Sequence, residues 1–581
     1  MRVMRWQVGA AAAMMALPGV AMAQVPGLPG GVMPAGPGSS QDQFQRFEQH
    51  QEQLDALPPP SNDIQIQRPS ALPQASKTCV TVHDLTVEGA QNLSRATTDA
   101  ITGPHVGTCM TVRDLNGLIN ALNAAYIRQG FITSRAYLPE QKLSSGHLRI
   151  VVIEGKLAGI QLQGRPARLA TVMAFPGLHG KILNLRDLEQ GIEDMNRLSH
   201  WGARMRIAPG GKAGVSTVVV TAPKRGVLHG QVWFDNYGQQ ITGQKTGHAM
   251  LTAENPLGLL DLWSVEYDHS LVGHAGQRGT SYLSVNGSIP FGYWTVFGSW
   301  WRSQDDYPLL ALTDVYHLGG SRRDWRLGIS RVLLRNRIGV TTFQASYERK
   351  SFGSEINHTV IDTETARQAF VNVQVSESLK GWGGVWYITG GLKVAVDGAG
   401  TWSNFTRPGW QDPHSSYLKP SLDIDGYKSL TRGVLWHTTL HGEYSTRDQF
   451  PTNELQAGGP YTVRGFLEQV LLGNDGGYMR NDFSWQLPTK GLKCGKFAFI
   501  CRHVIEGTQL YAALDVGVVR AGLASSSTPP ALRGGEMAGG GLGLRKTTGP
   551  FFWNVSLTHS MYTGPLPSEG LIPLFQVGAK I

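Results

Sequence analysis

Charge, cysteine and long apolar runs are all scarce in this chain, and each shortage narrows what it can be. Only 16% of its 581 residues are charged, and only four are cysteine. Beyond residue 23 no run approaches the ~20 apolar residues of a bilayer-crossing helix, so no helical membrane anchor is expected in the mature chain. Catalytic signatures are missing too. There is no G-x-S-x-G elbow and no H-E-x-x-H pair, and the 17 histidines lack metal-ligand spacing. Neither an enzyme nor a resident cofactor or metal is expected. The net charge is +9, but the basic residues are scattered rather than clustered, so a nucleic-acid partner is not expected.

Residues 1–23 read as a removable export signal. Arg2 and Arg5 precede the short apolar run 8–20, and Ala21, Met22 and Ala23 form an A-x-A cleavage site. In an exported chain four cysteines suggest two disulfides: Cys79 with Cys109 clips a small N-terminal domain, and Cys494 with Cys501 staples a turn. Free or metal-binding thiols are the alternative, although no second ligand pair has zinc spacing. The positive charge suits contact with anionic surfaces such as outer-leaflet lipopolysaccharide. Residues 24–40 are rich in Pro, Gly and Ser, as in a flexible leader. Residues 41–57 hold no Gly or Pro and place Phe44, Phe47, Leu54 and Leu57 at helical spacing. That stripe is thin, and fits a docked helix or a solvated arm. Pro58, Pro59 and Pro60 stop it, and a linker follows to residue 76.

Residues 77–155 read as strand, helix, helix, strand, strand. Residues 80–87 are strand-like, 112–128 form an amphipathic helix with Leu115, Leu118, Leu122 and Tyr126 on one side, and 132–138 and 147–153 are strands. Residues 156–225 repeat that order, with strands at 156–163, 203–207 and 215–221 and a helix at 185–198. Two successive modules of one kind make an internal repeat.

From residue 226 to the end helical periodicity gives way to alternation. Phe343, Ala345 and Tyr347 oppose Gln344, Ser346 and Glu348; Val371, Val373 and Val375 oppose Asn372, Gln374 and Ser376. Each such run has one apolar and one wet face. About 355 residues at roughly 22 per strand and connection give about sixteen strands, which suits an outer-membrane barrel better than one soluble sandwich. Trp263, Trp294, Trp300, Trp301, Trp382 and Trp386 recur near expected strand ends, as an interfacial girdle requires. The fold class expected is mainly β: a transmembrane β-barrel of about sixteen antiparallel strands after two α+β modules and an N-terminal helix.

One loop signal stands out between strand-like segments: Gly458, Gly459, Pro460, Tyr461, Thr462, Val463, Arg464, Gly465 and Phe466. A guanidinium among apolar neighbours needs an acceptor if it leaves water. In residues 510–519 the alternation puts Leu510, Ala512, Leu514, Val516 and Val518 on one face and Tyr511, Ala513, Asp515 and Gly517 on the other. Asp515 is the only charge there, and so the candidate acceptor. Gly517 leaves room beside it, and Gly539, Gly541 and Gly543 would let another element approach the wall closely. An extracellular turn arginine and an unrelated lumen aspartate are the alternative.

These residues resemble the outer-membrane transporters of two-partner secretion, the haemolysin and filamentous haemagglutinin exporters, along the whole mature chain. Val463, Arg464, Gly465 and Phe466 after Gly458 and Gly459 are similar to the loop signature of the POTRA-plus-barrel superfamily. Leu514, Asp515, Val516 and Gly517 resemble its barrel-wall motif, residues 288–294 an early barrel motif, 123–138 the first POTRA module, and Asp475 to Gly477 with Arg480 to Asp482 the strand after the loop. The resemblance implies two periplasmic POTRA modules, a helix able to plug the pore at 41–57, pairing of Arg464 with Asp515, and no nucleotide or metal. It implies a large exoprotein cargo in extended form, which would add to an edge strand near Tyr126, Phe131 and Tyr137; those aromatics could equally be core. Outer-membrane lipid and the barrel-assembly machinery are the other partners implied. Asp482 stands where relatives commonly carry glutamate, and nothing in the family pattern explains the Cys494 to Cys501 insertion. A barrel-assembly factor shares the loop and wall motifs, but would carry more POTRA modules.

Overall fold

A computed structural model describes residues 39–57, 79–164, 168–223, 226–240, 242–271, 279–311, 314–398, 400–404, 413–489, 499, 501–520 and 534–581. The expected export signal, the leader up to residue 38, the linker and Cys494 lie outside them. No helix among the described residues is long and apolar enough to cross a membrane.

The chain opens with helix α1 (Ser39–Ala56). The first module follows: β1 (Cys79–Thr81), β2 (Asp84–Glu88), α2 (Arg95–Thr102), β3 (Cys109–Thr111), α3 (Val112–Arg128), β4 (Arg135–Tyr137) and β5 (His147–Ile153). Its helices begin where side chains satisfy the first free N–H groups: Ser94 caps α2, and Thr111 with Asp114 forms a reciprocal capping box on α3. The single strand expected at 80–87 is split. β1 turns aside to pair with β3 while β2 runs parallel to β5, and the Cys79–Cys109 disulfide joins the diverging pair. The strand expected at 132–138 shrinks to the three residues of β4, which pair antiparallel with β5 and form a sheet edge. The α3 stripe of Leu118, Leu122 and Tyr126 packs on Leu148 and Ile150.

The second module repeats the plan with β6 (Lys156–Gln163), α4 (Arg168–Ala174), α5 (Leu185–Asn196), β7 (Arg204–Pro209) and β8 (Val215–Thr221). Here β6 is parallel and β7 antiparallel to the central β8. α5 ends at Asn196 rather than 198, because Leu198 and Trp201 turn back into the core beside Met195 and Val218.

The remaining strands close into an antiparallel barrel. Sixteen strands run from Leu228–Asp235 to Leu571–Lys580, and the first pairs with the last, so no edge is left open. A two-residue strand, Trp402–Ser403, adds to the side of the long strand Thr359–Gly381. Alternation sorts the faces as expected: Leu510, Leu514, Val516 and Val518 are exposed on the outside, whereas Tyr511, Ala513 and Asp515 are buried within. Trp263, Trp294, Trp300 and Trp382 are exposed, as a girdle requires. Trp301 is a correction. Neighbours on a strand point to opposite faces, so Trp300 and Trp301 cannot both meet lipid; Trp301 is buried inside with Phe44, Trp233 and Tyr282.

Candidate functional site

Between the wall strands Val434–Glu443 and Asp475–Gln486 the chain leaves the end of the barrel remote from the modules and folds back within it. A short hairpin, Leu455–Ala457 with Leu471–Gly473, frames this loop. Val463, Phe466, Leu455 and Leu471 bury themselves against Val519, Met537 and Leu566. Each such side chain supplies about 1.5–3 kcal/mol on leaving water, which is what draws the loop inward. At its far end the Glu569 carboxylate accepts the backbone N–H groups of Leu467, Glu468 and Gln469.

The Arg464 guanidinium sits at the centre. Its Nε and Nη2 donate to the two oxygens of Asp515 at 2.6 and 2.7 Å, and its backbone N–H donates to Asp515 Oδ2 at 2.9 Å. Nη1 donates to Asp482 Oδ1 at 2.5 Å, and Arg545 Nη1 donates to the other Asp482 oxygen at 2.7 Å. Arg480, opposite Asp515 in the register, donates to the Tyr461 carbonyl. The fork-on-carboxylate geometry is the strong form of a charge-assisted pair. Asp515 is wholly buried, so the pair matters chiefly for position: losing either partner strands a charge away from water.

Absent side chains make the close approach possible. A Cβ on Gly539 would overlap the Arg464 carbonyl, and one on Gly517 would crowd Val463. Gly465 adopts φ +100°, and a side chain there would meet the His559 carbonyl. Gly541 and Gly543 serve the wall itself, facing the Leu557 carbonyl and the Tyr511 ring.

Helix α1 also lies inside the barrel. Phe44 packs with the rings of Tyr282, His248 and Tyr461, and Phe47 with Tyr461 at 5.1 Å. His50 Nε2 lies 2.7 Å from Asp425 Oδ2, Arg46 donates to the Thr452 carbonyl, and Arg326 donates to Gln49. A cavity of about 200 Å³ remains between helix and wall, lined by Arg46, His50, Lys393, Glu443 and Tyr478 among others.

In the first module Tyr126 is core: it is fully buried, and its hydroxyl donates to Glu154. Phe131 is half-buried against that core, and only Tyr137, on the edge strand β4, is exposed. The second module docks on the barrel through the early barrel motif. Tyr293 donates to Asp187, the Gly292 N–H to the Met173 carbonyl, and Arg197 to Ser288, while Arg335 pairs with Glu193 at 2.7 Å. Burial in this seam raises the Asp194 carboxyl well above the usual range, with the Arg197 guanidinium opposing.

Arg464, Asp515 and Gly517 are thus brought together with Val463, Gly465 and Phe466, far from Tyr126, Phe131 and Tyr137 in sequence and in module. Sequence reasoning assigned Asp482 no place in the pair, yet it bridges Arg464 and Arg545. Its inward alternation with Arg480 and Ser484 was the available signal. Glu569 left none. Cys501 is buried and disulfide-bonded.

A closed sixteen-stranded barrel with two POTRA modules and a lumen held by helix and loop defines an outer-membrane transporter of the POTRA-plus-barrel class. Residues 214–546 match the family described as haemolysin secretion/activation protein ShlB/FhaC/HecB, residues 80–155 the ShlB-type POTRA domain and residues 156–209 a POTRA domain. The outer membrane transporter CdiB of Escherichia coli O6:K15:H31 (strain 536 / UPEC) is 33% identical over 77% of this chain and 76% of that protein. CdiB of Dickeya dadantii (strain 3937) is 31% identical over 78% and 81%. The solved structure of CdiB from Escherichia coli superposes with TM-score 0.82 at 28% identity, covering 95% of this chain and 99% of that one. The chain belongs to the ShlB/FhaC/HecB family, the two-partner secretion transporters of the outer membrane, with its POTRA modules in the periplasm. Members of that family are transporters, not enzymes.

Proposed function

We propose that the chain recognises a large exoprotein in the periplasm through its POTRA modules and passes it, extended and unfolded, through the barrel to the cell surface without nucleotide hydrolysis. The observation that carries the reading is a lumen filled by two elements held in different ways: a polar helix with a cavity beside it, and a loop latched to the wall. Arg464 with Asp515 and Asp482 fixes one loop arrangement, while α1 keeps the resting pore shut. The cargo adds as a strand to β4, an edge strand that carries the exposed Tyr137, displacing the Asn123 side chain that accepts the Ala136 N–H. Tyr126 and Phe131 shape the module behind that edge. Outer-membrane lipid surrounds the apolar belt, lipopolysaccharide meets the basic surface, and the barrel-assembly machinery inserts the chain.

Photo-cross-linking from a probe placed at Tyr137 tests cargo entry. An N-terminal fragment of the cognate exoprotein should cross-link there, and Tyr137→Ala should weaken capture several-fold, in line with one aromatic contact of about 1 kcal/mol. Cross-links confined to the barrel exterior would sink this route.

A further inference from the structure

At the mouth of the barrel nearest the modules, three metal-binding side chains from separate segments converge where the second module meets the inward face of the wall. His200 lies in the turn after α5, His229 in the first barrel strand, Leu228–Asp235, and Glu254 at the end of the second, Lys245–Glu254. Register sets His229 opposite Thr252, so it shares a face with Glu254 two residues on. The Glu254 side chain is 3% exposed, with Oε1 3.3 Å from His200 Nδ1 and 3.8 Å from His229 Nε2. The two imidazoles stack in parallel, with ring centroids 3.5 Å apart. Parallel rings keep their in-plane lone pairs in separate planes, so one imidazole turns out of the stack before both reach a common ion. His229 Nε2 is buried without a hydrogen-bond partner.

We infer that His200 Nδ1, His229 Nε2 and Glu254 Oε1 form a binding site for a zinc-class transition-metal ion that ties the second POTRA module to the barrel. A tetrahedral ion with bonds of about 2.0–2.2 Å holds its ligand atoms about 3.3–3.5 Å apart. The His200 to Glu254 spacing already matches, and His229, 3.8 Å from the same oxygen, joins by turning its ring out of the stack. Two imidazoles with one carboxylate suit Zn²⁺, Cu²⁺ or Ni²⁺, whereas Ca²⁺ and Mg²⁺ take oxygen ligands. A water completes the fourth position. The carboxylate is already aimed: its Oε2 accepts the His200 backbone N–H, and its Oε1 accepts the Ser199 hydroxyl at 2.8 Å. That hydroxyl also lies 2.8 Å from His200 Nδ1, and the ion takes its place there. A simple ion pair accounts for one histidine, but not for a second stacked on it with its Nε2 unpaired. The other cluster of this type, His248 with Glu266 and Asp268, differs: both His248 nitrogens face carboxylates, Asp235 at 3.2 Å and Asp268 at 2.8 Å. The bound ion spans the connection between module and barrel, and so stiffens the swing of the second module.

The test uses the untagged full chain, stripped with chelator, in detergent micelles. Zn²⁺ titrated against a chromophoric chelator should reveal a site whose affinity falls roughly tenfold or more in His229→Ala, His200→Ala and Glu254→Gln, with His248→Ala as a control that leaves it intact. Cu²⁺ bound there should show two-nitrogen hyperfine coupling that drops to one nitrogen in either histidine variant. Zn²⁺ should slow hydrogen exchange around residues 197–203 in the parent chain alone. His229→Gln and His200→Asn keep a polar side chain, and heat-modifiable migration confirms that each variant's barrel is folded. Equal Zn²⁺ affinity in the parent and the folded histidine variants would overturn the inference. So would a Cu²⁺ spectrum that neither variant changes. None of these readouts depends on secretion.

Discussion

The loop and the helix share one lumen but are seated on opposite principles. The loop is latched by a buried guanidinium with two carboxylates, a small apolar core, and glycines that bring backbone against backbone. The helix rests on two aromatic residues, Phe44 and Phe47, one histidine–carboxylate contact and a few bonds at its margin, with a cavity left beside it. A close-packed seat with a desolvated ion pair has few half-released states, since breaking any part exposes a charge to an apolar wall. A polar seat with spare volume can be vacated stepwise, with water replacing each contact. The lesson is that one barrel holds a fixed element and a removable one by grading burial. The two meet at Tyr461, whose ring takes Phe44 and Phe47 and whose carbonyl is held by Arg480, and at Thr452, whose carbonyl accepts from Arg46.

The largest test of that contrast is Arg464→Ala. It leaves Asp515 and Asp482 short of a cation and should cost about 3–5 kcal/mol locally, enough to dislodge the loop. Exoprotein in the medium, measured against folded barrel in the membrane, should fall by at least an order of magnitude. The double variant Arg464→Asp with Asp515→Arg should restore part of it; no recovery at normal barrel levels would argue against direct pairing. Next comes Gly539→Val, which leaves every charge in place but puts a side chain where the Arg464 carbonyl lies. Overpacking of this kind costs about 1–3 kcal/mol, so secretion should drop less than in Arg464→Ala, and unchanged secretion would show that the loop is not held against this wall. The smallest effect on secretion belongs to the helix. Phe44→Ala with His50→Ala removes roughly 2–3 kcal/mol of seating. Single-channel recording should then show a larger open fraction while secretion stays within about twofold. If that variant abolished secretion and left conductance unchanged, the helix would be a fixed part and the contrast would fail.

Much of this was legible from local pattern, because the relevant physics is local. Alternation with a two-residue period reports which face a side chain takes, and so Asp515 could be placed inside and its neighbours Leu514 and Val516 outside. The lone charge on an inward face, set against an arginine in a Gly-rich loop, was enough to make Asp515 the candidate acceptor for Arg464. The same rule was available for Trp300 and Trp301, where adjacency alone excludes two lipid-facing rings. The α3 stripe likewise reported a helix face, and Tyr126 belongs to it as core rather than to a groove.

By itself, then, the sequence determined the repeated modules, the alternating wall and the two candidate members of the charged pair, since each rests on spacing within a short stretch of chain. Only the tertiary structure decided that Asp482 joins Arg464, that Glu569 receives the loop's far end, and that His200, His229 and Glu254 meet at one point. The physical reason is register. Periodicity says which way a side chain points, but which residues meet across strands, modules and a closed barrel depends on hydrogen-bonded pairing and closure, and no local pattern carries that.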